Sequence, residues 1–358
     1  MSAFHTNSRP PVRSLRNLVR MSPPAGAGEK GVNGRPPQPY GGEVTNHALP
    51  AAETEARFAS VRRDEARLRP GVLALCRRLG HGGADVTRFP GGSLPVYAVG
   101  DRLVLKLYPP TCRDNWQVED HVLRAIDGRL PVPTPRVEAA GEFGDWRYVL
   151  MTRLGGEPLT EVWSRTDERD RDAIAERLGC ALAALHEITV PALGPPDWHR
   201  FVADQRACCV ERQRARGLAP RWLAQIPDFL DSVPLPPSPP VLLHTEIMRE
   251  HLLVTRGPTG WSLSGLYDFE PAMMGDRDYE FVSVGVFVAR GDARFLRRLL
   301  TAYGHPDDRL DTALQRRLLA YTLLHRYSDL AWYLEEMPAP PEPTLDALAT
   351  RWWALDTP

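Results

Sequence analysis

The chain has 358 residues, 43% hydrophobic and 25% charged, with a formal net charge of -1. That length can bury two lobes in the composition of an ordinary globule, and the balanced charge argues against a broad polyanion-binding role. Five cysteines without C-x-x-C spacing point to neither a disulfide framework nor a zinc site, and no apolar run nears the roughly 20 residues that span a bilayer.

Residues 1–52 are rich in Pro, Gly, Ser and Arg with little periodic hydrophobicity, which predicts a disordered tail. The tail has no apolar signal-peptide core, so a cytoplasmic location is expected. From Glu53 to Leu79 the residues Phe58, Val61, Leu68, Val72, Leu75 and Leu79 fall on one helical face, with Pro70 expected to break the helix in two. Val86 to Tyr108 reads as strand, Gly-rich turn at Gly91-Gly92-Ser93, strand, turn at Gly100-Asp101, and strand. A helix is expected over Asp114–Ile126, followed by two strands bracketing Gly144-Asp145. The second, Arg147–Arg153, leads into a flexible joint at Leu154-Gly155-Gly156.

Beyond Thr166 the pattern is mostly helical, over 167–188, 199–216, 220–232, 277–289, 292–303, 309–337 and 343–354. A Pro-rich connector at 234–240 and short strands around Leu252–Val254 and Leu263–Tyr267 interrupt it. β-rich first and α-rich second, the order predicts an α+β protein of two lobes, 53–153 and 154–358, in the manner of a protein kinase.

Only Lys30 and Lys106 among the 44 basic residues are lysines; the rest are arginines. Lys30 lies in the tail. Lys106 interrupts the apolar run Leu103–Tyr108, where an ammonium is costly unless partnered. Phosphoryl transfer requires a phosphate-facing lysine with a carboxylate partner, a base and metal ligands rather than covalent chemistry. Those parts occur in order. Gly91, Gly92 and Ser93 offer backbone amides to phosphate, Lys106 follows on the next strand, and Glu119 on the next helix is its natural partner. An edge-strand lysine with its stem snorkelling to water is the bland alternative.

A second cluster begins at Leu242-Leu243-His244-Thr245-Glu246-Ile247-Met248-Arg249-Glu250-His251 and ends at Tyr267-Asp268-Phe269-Glu270. Apolar strands deliver His244 and Glu246 into one loop. Glu246 and His251 have the five-residue offset of a kinase catalytic base and its metal-binding partner, and Asp268 ends a strand where a carboxylate can face a metal ion.

From Val86 to Tyr333 the chain resembles the aminoglycoside phosphotransferase family, nearest in look to its hygromycin B kinases. The likeness is carried by Val104-Leu105-Lys106-Leu107-Tyr108, the Glu119 helix, the hinge Tyr148–Leu154, Leu182-Ala183-Ala184-Leu185-His186, and Asp268 through Gly275-Asp276. The resemblance implies a kinase-like fold, with ATP and Mg2+ as cofactors and a small-molecule substrate. It places Met151 and Leu154 at the nucleotide hinge. The metal would be held by Asp268 and, where the family has asparagine, by His251. Glu246 stands where the family has its catalytic aspartate, in a loop the family writes His-Gly-Asp-Leu-His-x-x-Asn. The family's Gly-Asp-x-x-Tyr-Asp-Leu becomes Gly275-Asp276-Arg277-Asp278-Tyr279-Glu280-Phe281.

The leading expectation is therefore an ATP-dependent O-phosphotransferase acting on a hydroxylated small molecule such as an aminoglycoside, with no nucleic acid or membrane partner. Glu270, Asp276, Asp278 and Glu280 are candidates to receive a polycation; carboxylates at a helix start are the alternative account of them. The second functional reading is a nucleotide-binding protein without transfer, suggested by Glu246 and His251. The sequence sets no oligomeric state.

Overall fold

The computed structural model describes residues 48–194, 197–337 and 339–355. Residues 1–47 of the expected tail, with Lys30, lie outside the described residues. Residues 48–52 pack on the first lobe: the Pro50 carbonyl accepts a 2.8 Å hydrogen bond from the Trp146 indole, and Ala52 is buried.

That lobe opens with α1 (Glu55–Val61) and α2 (Glu65–Arg78). The break between them falls at residues 62–64, not at Pro70, which lies inside α2. Asp64 sets the start of α2 by accepting from the Arg67 N–H at 3.1 Å. An early proline forfeits one backbone hydrogen bond, and here packing outweighs that loss, with Leu68, Val72 and Leu75 all fully buried.

Five strands follow: β1 (Val86–Arg88), β2 (Val96–Val99), β3 (Leu103–Tyr108), β4 (Val137–Phe143) and β5 (Trp146–Thr152). They form an antiparallel sheet in the order β1-β2-β3-β5-β4. Its middle strand carries Lys106, opposite Val96 on one side and Val149 on the other. Alternation along β3 turns Lys106 away from its neighbours Leu105 and Leu107. The helix α3 (Arg113–Ile126) lies against the sheet with Glu119, Val122, Leu123 and Ile126 buried.

The second lobe contains β6 (Glu157–Pro158), α4 (Leu159–Val162), α5 (Glu168–His186), α6 (Trp198–Ala215), α7 (Pro220–Leu223), α8 (Ile226–Ser232), β7 (Val241–Leu243), β8 (Leu252–Gly257), β9 (Gly260–Leu266), β10 (Met273–Gly275), α9 (Arg277–Ser283), α10 (Ala293–Tyr303), α11 (Thr312–Leu324), α12 (Leu330–Glu336) and α13 (Leu345–Trp352). Two small sheets, β6-β8-β9 and β10-β7, hold the loops between them. The expected helix 220–232 is split into α7 and α8, with Pro227 setting the first turn of α8. The expected helix 309–337 is split at 325–329, where Asp329 caps α12. The expected helix 277–289 changes to a π-helical turn over Val284–Ala289. Two short strands, β6 and β10, have no counterpart in the sequence reading.

The long helices α5 and α10 pack most closely at Gly179. A Cβ there would collide with the Leu299 carbonyl and sit 3.0 Å from the Ala302 Cβ. Because the obstacle is backbone, Gly179→Ala is expected to cost about 1–3 kcal/mol by overpacking, read as a lower urea midpoint with an unchanged slope.

Candidate active site

Between the lobes lies a cleft of about 670 Å³. Its lining includes Gly91, Gly92 and Ser93 of the β1–β2 turn, Val96 and Val104 of the sheet, Met151 and Leu154 at the hinge, and Leu253 below. An apolar slot with a few convergent polar groups is the usual form of a small-molecule site. At its inner end stands Lys106, with its Nζ 2.7 Å from Glu119 Oε2, 2.6 Å from Asp268 Oδ1 and 2.8 Å from Glu270 Oε2. Burial disfavours the ammonium, but Asp268, Glu119 and Glu270 more than offset it and raise its pKa well above the ordinary value. The snorkelling alternative fails, because Lys106 is 6% exposed and held on three sides. Tyr108 donates its hydroxyl to Glu119, which also accepts the Phe269 N–H at 3.2 Å and so ties α3 to the Asp268 segment. Burial pushes Glu270 up to about 7 against the pull of Lys106, with Asp268 and Glu119 adding to the rise.

The loop after β7 is anchored from below. Glu280 on α9 is fully buried and accepts the N–H groups of His244 at 2.6 Å and Thr245 at 2.9 Å. Thr245 has a φ of 70°, a left-handed geometry that a β-branched residue adopts only when held there. Its hydroxyl donates to the Pro271 carbonyl at 3.0 Å and accepts from Arg326 at 3.0 Å, while His325 Nε2 donates to its carbonyl at 3.3 Å. Asp268, at the end of the facing strand, has a φ of 75°.

His244, expected among the catalytic groups, is fully buried between the two loops. Its ring is buried, its Nδ1 accepts the Glu246 N–H at 3.3 Å, and its Nε2 donates to the Tyr267 carbonyl at 3.0 Å, so it links the two loops as a neutral imidazole. Glu246 follows, half-buried. Its carbonyl accepts from His251 Nδ1 at 2.7 Å, and His251 Nε2 lies 3.0 Å from Asp268 Oδ2. One imidazole thus joins the Glu246 backbone to the Asp268 carboxylate.

Three of the four carboxylates considered for a polycation are structural. Asp276 caps α9 and accepts from Ser238 at 2.7 Å, Asp278 is paired with Arg317 at 2.8 Å, and Glu280 holds the loop. Only Glu270 of that set lines the cleft, where Glu161 and Glu250 do as well.

Sequence reasoning missed the segment His325-Arg326-Tyr327-Ser328-Asp329, which packs under Thr245. Its Tyr327 is raised in pKa mainly by burial, with Glu246 and Glu270 adding to the effect. The available signal was a polar cluster interrupting an apolar run. Arg249 was missed too: its guanidinium lies 3.7 Å over the Trp163 ring and donates to the Val288 carbonyl at 2.6 and 3.0 Å, capping the π-helical turn.

Burial lowers His244 to about 4 and His325 to about 3. Both pKa values lie below the ordinary 6.5, so the unfolded chain binds these protons first and stability falls as pH drops below about 6.5. At about 1.4 kcal/mol per unit for each ring, the two rings together are expected to withdraw about 3 kcal/mol of stability between pH 8 and about pH 5.5, opposed by Glu270, whose raised pKa favours the folded chain as pH falls. Urea unfolding at the two pH values, compared between the wild type and the protein with both rings replaced by Gln, reads the contribution of the rings as the difference.

A five-stranded antiparallel lobe bearing a buried Lys–Glu pair, hinged to a helical lobe that supplies the loop and the strand-terminal carboxylate, is the protein-kinase-like fold. Residues 85–318 match the sequence profile of the phosphotransferase enzyme family, and the chain belongs to that family. Among solved structures it is similar to the GDP complex of aminoglycoside 2'-phosphotransferase-IIIa, at 18% identity and a TM-score of 0.61 over 74% of this chain and 94% of that one. It is also similar to a thermostable mutant of aminoglycoside phosphotransferase APH(4)-Ia in ternary complex with AMP-PNP and hygromycin B, at 19% identity and a TM-score of 0.54 over 80% and 99%. What these neighbours share with the chain is the fold. No helix among the described residues is long and apolar enough to cross a membrane.

Proposed function

We propose that the chain is an ATP-dependent O-phosphotransferase acting on a small hydroxylated molecule. The observation that carries this reading is the buried Lys106, held by Glu119 and touching Asp268 at the inner end of a nucleotide-sized cleft. In this reading the adenine lies among Val96, Val104, Leu253 and Met151, and the amides of Gly91–Ser93 and the Lys106 ammonium meet the phosphates. Three carboxylates around one ammonium leave the inner cleft acidic, so a polyphosphate enters favourably only together with its cations. A divalent ion held by Asp268 and His251 would neutralise charge on the phosphate oxygens.

Glu246 accepts the proton of the substrate hydroxyl as that oxygen bonds to the γ-phosphorus and the bond to the β–γ bridging oxygen breaks, releasing ADP. The pinned Thr245 backbone fixes the origin of the Glu246 side chain, and the Glu246 carbonyl orients His251. Thr160, Glu161, Glu250, Phe287, Arg290 and Trp332 line the outer cleft. That mixture of both charges with two aromatic side chains suits a hydroxylated ring compound, and an aminoglycoside such as hygromycin B, with antibiotic resistance as the outcome, is one candidate. A cytoplasmic setting, where ATP is available, goes with this reading.

The test is incubation with ATP, a divalent ion and a panel of aminoglycosides and other polyols, read by mass spectrometry. A singly phosphorylated product is expected. Nucleotide binding with no phosphorylated or adenylylated product would move the assignment to a nucleotide-binding protein without transfer, the reading that Glu246 and His251 favour by their departure from the family pattern.

A further inference from the structure

A second, smaller pocket of about 290 Å³ lies in the second lobe and shares no lining residue with the cleft. The start of α9 supplies Arg277 and Asp278, the end of α10 and the turn after it supply Tyr303, His305 and Arg309, and α11 supplies Arg317. Three guanidinium groups against one carboxylate make this a cationic concavity, which draws anions.

Arginines on a surface are ordinary, but the buried atoms between these are not. The side chains of His305 and Asp278 are only 9% and 10% exposed. Asp278 Oδ2 accepts from Arg317 Nε at 2.8 Å, whereas Asp278 Oδ1 and His305 Nε2 are buried with no hydrogen-bond partner among the described residues. The two atoms stand 4.0 Å apart, beyond hydrogen-bond reach of each other.

One oxygen placed between them completes both. Two hydrogen bonds of about 2.8 Å that meet near a right angle span about 4.0 Å. Nε2 carries a hydrogen in the charged imidazole and in one neutral tautomer, so it can donate to that oxygen. Oδ1 of the ionised Asp278 only accepts, so the oxygen must bring a hydrogen of its own. It is therefore a hydroxyl oxygen. The forked N–H donors of Arg277, Arg309 and Arg317 match the remaining oxygens of a tetrahedral anion.

We infer that this pocket is a binding site for hydrogen phosphate, whose P–OH bridges His305 Nε2 and Asp278 Oδ1 while its other three oxygens accept from the arginines. Sulfate and methyl phosphate are also dianions near pH 8, but neither has a hydroxyl hydrogen. Asp278 is then the selecting residue, since its Oδ1 repels an oxyanion that brings no donor. The inference goes beyond the nucleotide reading of the cleft and stands or falls apart from it. A water molecule bridging the two atoms, with the arginines solvated, is the opposing account.

The experiment is calorimetric titration of the full chain, at about pH 8 and constant ionic strength, with inorganic phosphate, sulfate and methyl phosphate. Phosphate is expected to bind at least about tenfold tighter than either other dianion, the worth of one hydrogen bond to a charged group. Arg309→Gln changes an exposed side chain and should weaken phosphate binding by a similar factor. Asp278→Asn should abolish the preference over sulfate, because an amide can donate to it. Equal binding of the three dianions overturns the inference, leaving a patch that reads charge alone. No phosphate binding overturns it too, in favour of the bridging water. Phosphate affinity unchanged in Arg309→Gln places the ion elsewhere and has the same force. The wild-type ranking and Arg309→Gln decide the matter even where Asp278→Asn fails to fold.

Discussion

Lys106→Met is expected to lower the folding free energy by about 3–5 kcal/mol at neutral pH, the usual consequence of removing one partner from a buried ion pair. Methionine nearly matches lysine in length and is apolar, so if Lys106 merely lent its stem to the sheet the change would be neutral or stabilising. The structure predicts the opposite sign, because Glu119, Asp268 and Glu270 would be left without the cation that now lies within 2.8 Å of each. The loss should also depend on pH. Glu270, already pushed up to about 7 with the ammonium beside it, takes up a proton readily once that charge is gone. Destabilisation should therefore be greater at pH 8 than at pH 5, where the variant carries fewer buried charges. Chemical unfolding at the two pH values measures both the size and the trend, and equal stability of variant and wild type at pH 8 would refute the three-carboxylate account.

The second large effect is kinetic. Glu246→Gln keeps the shape of the side chain but removes the base, and a positioned base contributes about 10²–10⁴ in rate. Turnover of whichever acceptor the panel identifies is expected to fall by that factor, while nucleotide affinity stays within about twofold, since in the proposed reading Glu246 meets the acceptor hydroxyl rather than the phosphates. Glu246→Asp withdraws the carboxylate by one methylene from a loop fixed at Thr245. A displacement of about 1 Å can cost on the order of a hundredfold in rate, so the aspartate variant should be impaired despite restoring the residue type of the resembled family. Equal turnover in Glu246→Gln and the wild type would remove Glu246 from the chemistry.

The parts of the site that were legible in the sequence share a physical cause: each looks costly where it stands. A lysine inside the apolar run of β3 needs partners, and Glu119 one helix later and Asp268 at a strand end are groups that can supply them. Other residues differ in what the local pattern can report. His244 sits directly after two fully buried leucines of β7, and that context foretold its burial more than its chemistry. At the start of α9, Asp276, Asp278 and Glu280 are all buried, and the chain alone does not say which distant group each of them meets. Glu280 turned inward because the loop amides of His244 and Thr245 needed an acceptor. Those contacts span 35 or more residues and leave no local trace.

Thr245 is the clearest case of a conflict between residue type and conformation. It stands where the resembled family has glycine, and its φ of 70° is one that glycine adopts without strain. The chain retains that geometry with threonine by surrounding it with Glu280, Arg326, Pro271 and His325, and two of those partners come from the 325–329 break that an apolar run of α11 concealed. Pro70 failed as a helix breaker for the converse reason: the apolar face of α2 continues across it. The fold was legible because hydrophobic periodicity determines lobes and layers. The loop supports were not, because they depend on side chains meeting across the second lobe.

The measurement that tests the nucleotide site most directly is an equilibrium titration with a fluorescent ATP analogue in the presence of divalent ions, comparing wild type with Asp268→Ala. The wild type should bind the analogue, ATP should displace it, and Asp268→Ala should lose binding by at least about a hundredfold, the upper end of what a typical coupling of 1–3 kcal/mol between two bound ligands amounts to. Unchanged affinity in a folded Asp268→Ala protein would place the nucleotide elsewhere and contradict the account of the Lys106, Glu119 and Asp268 cleft.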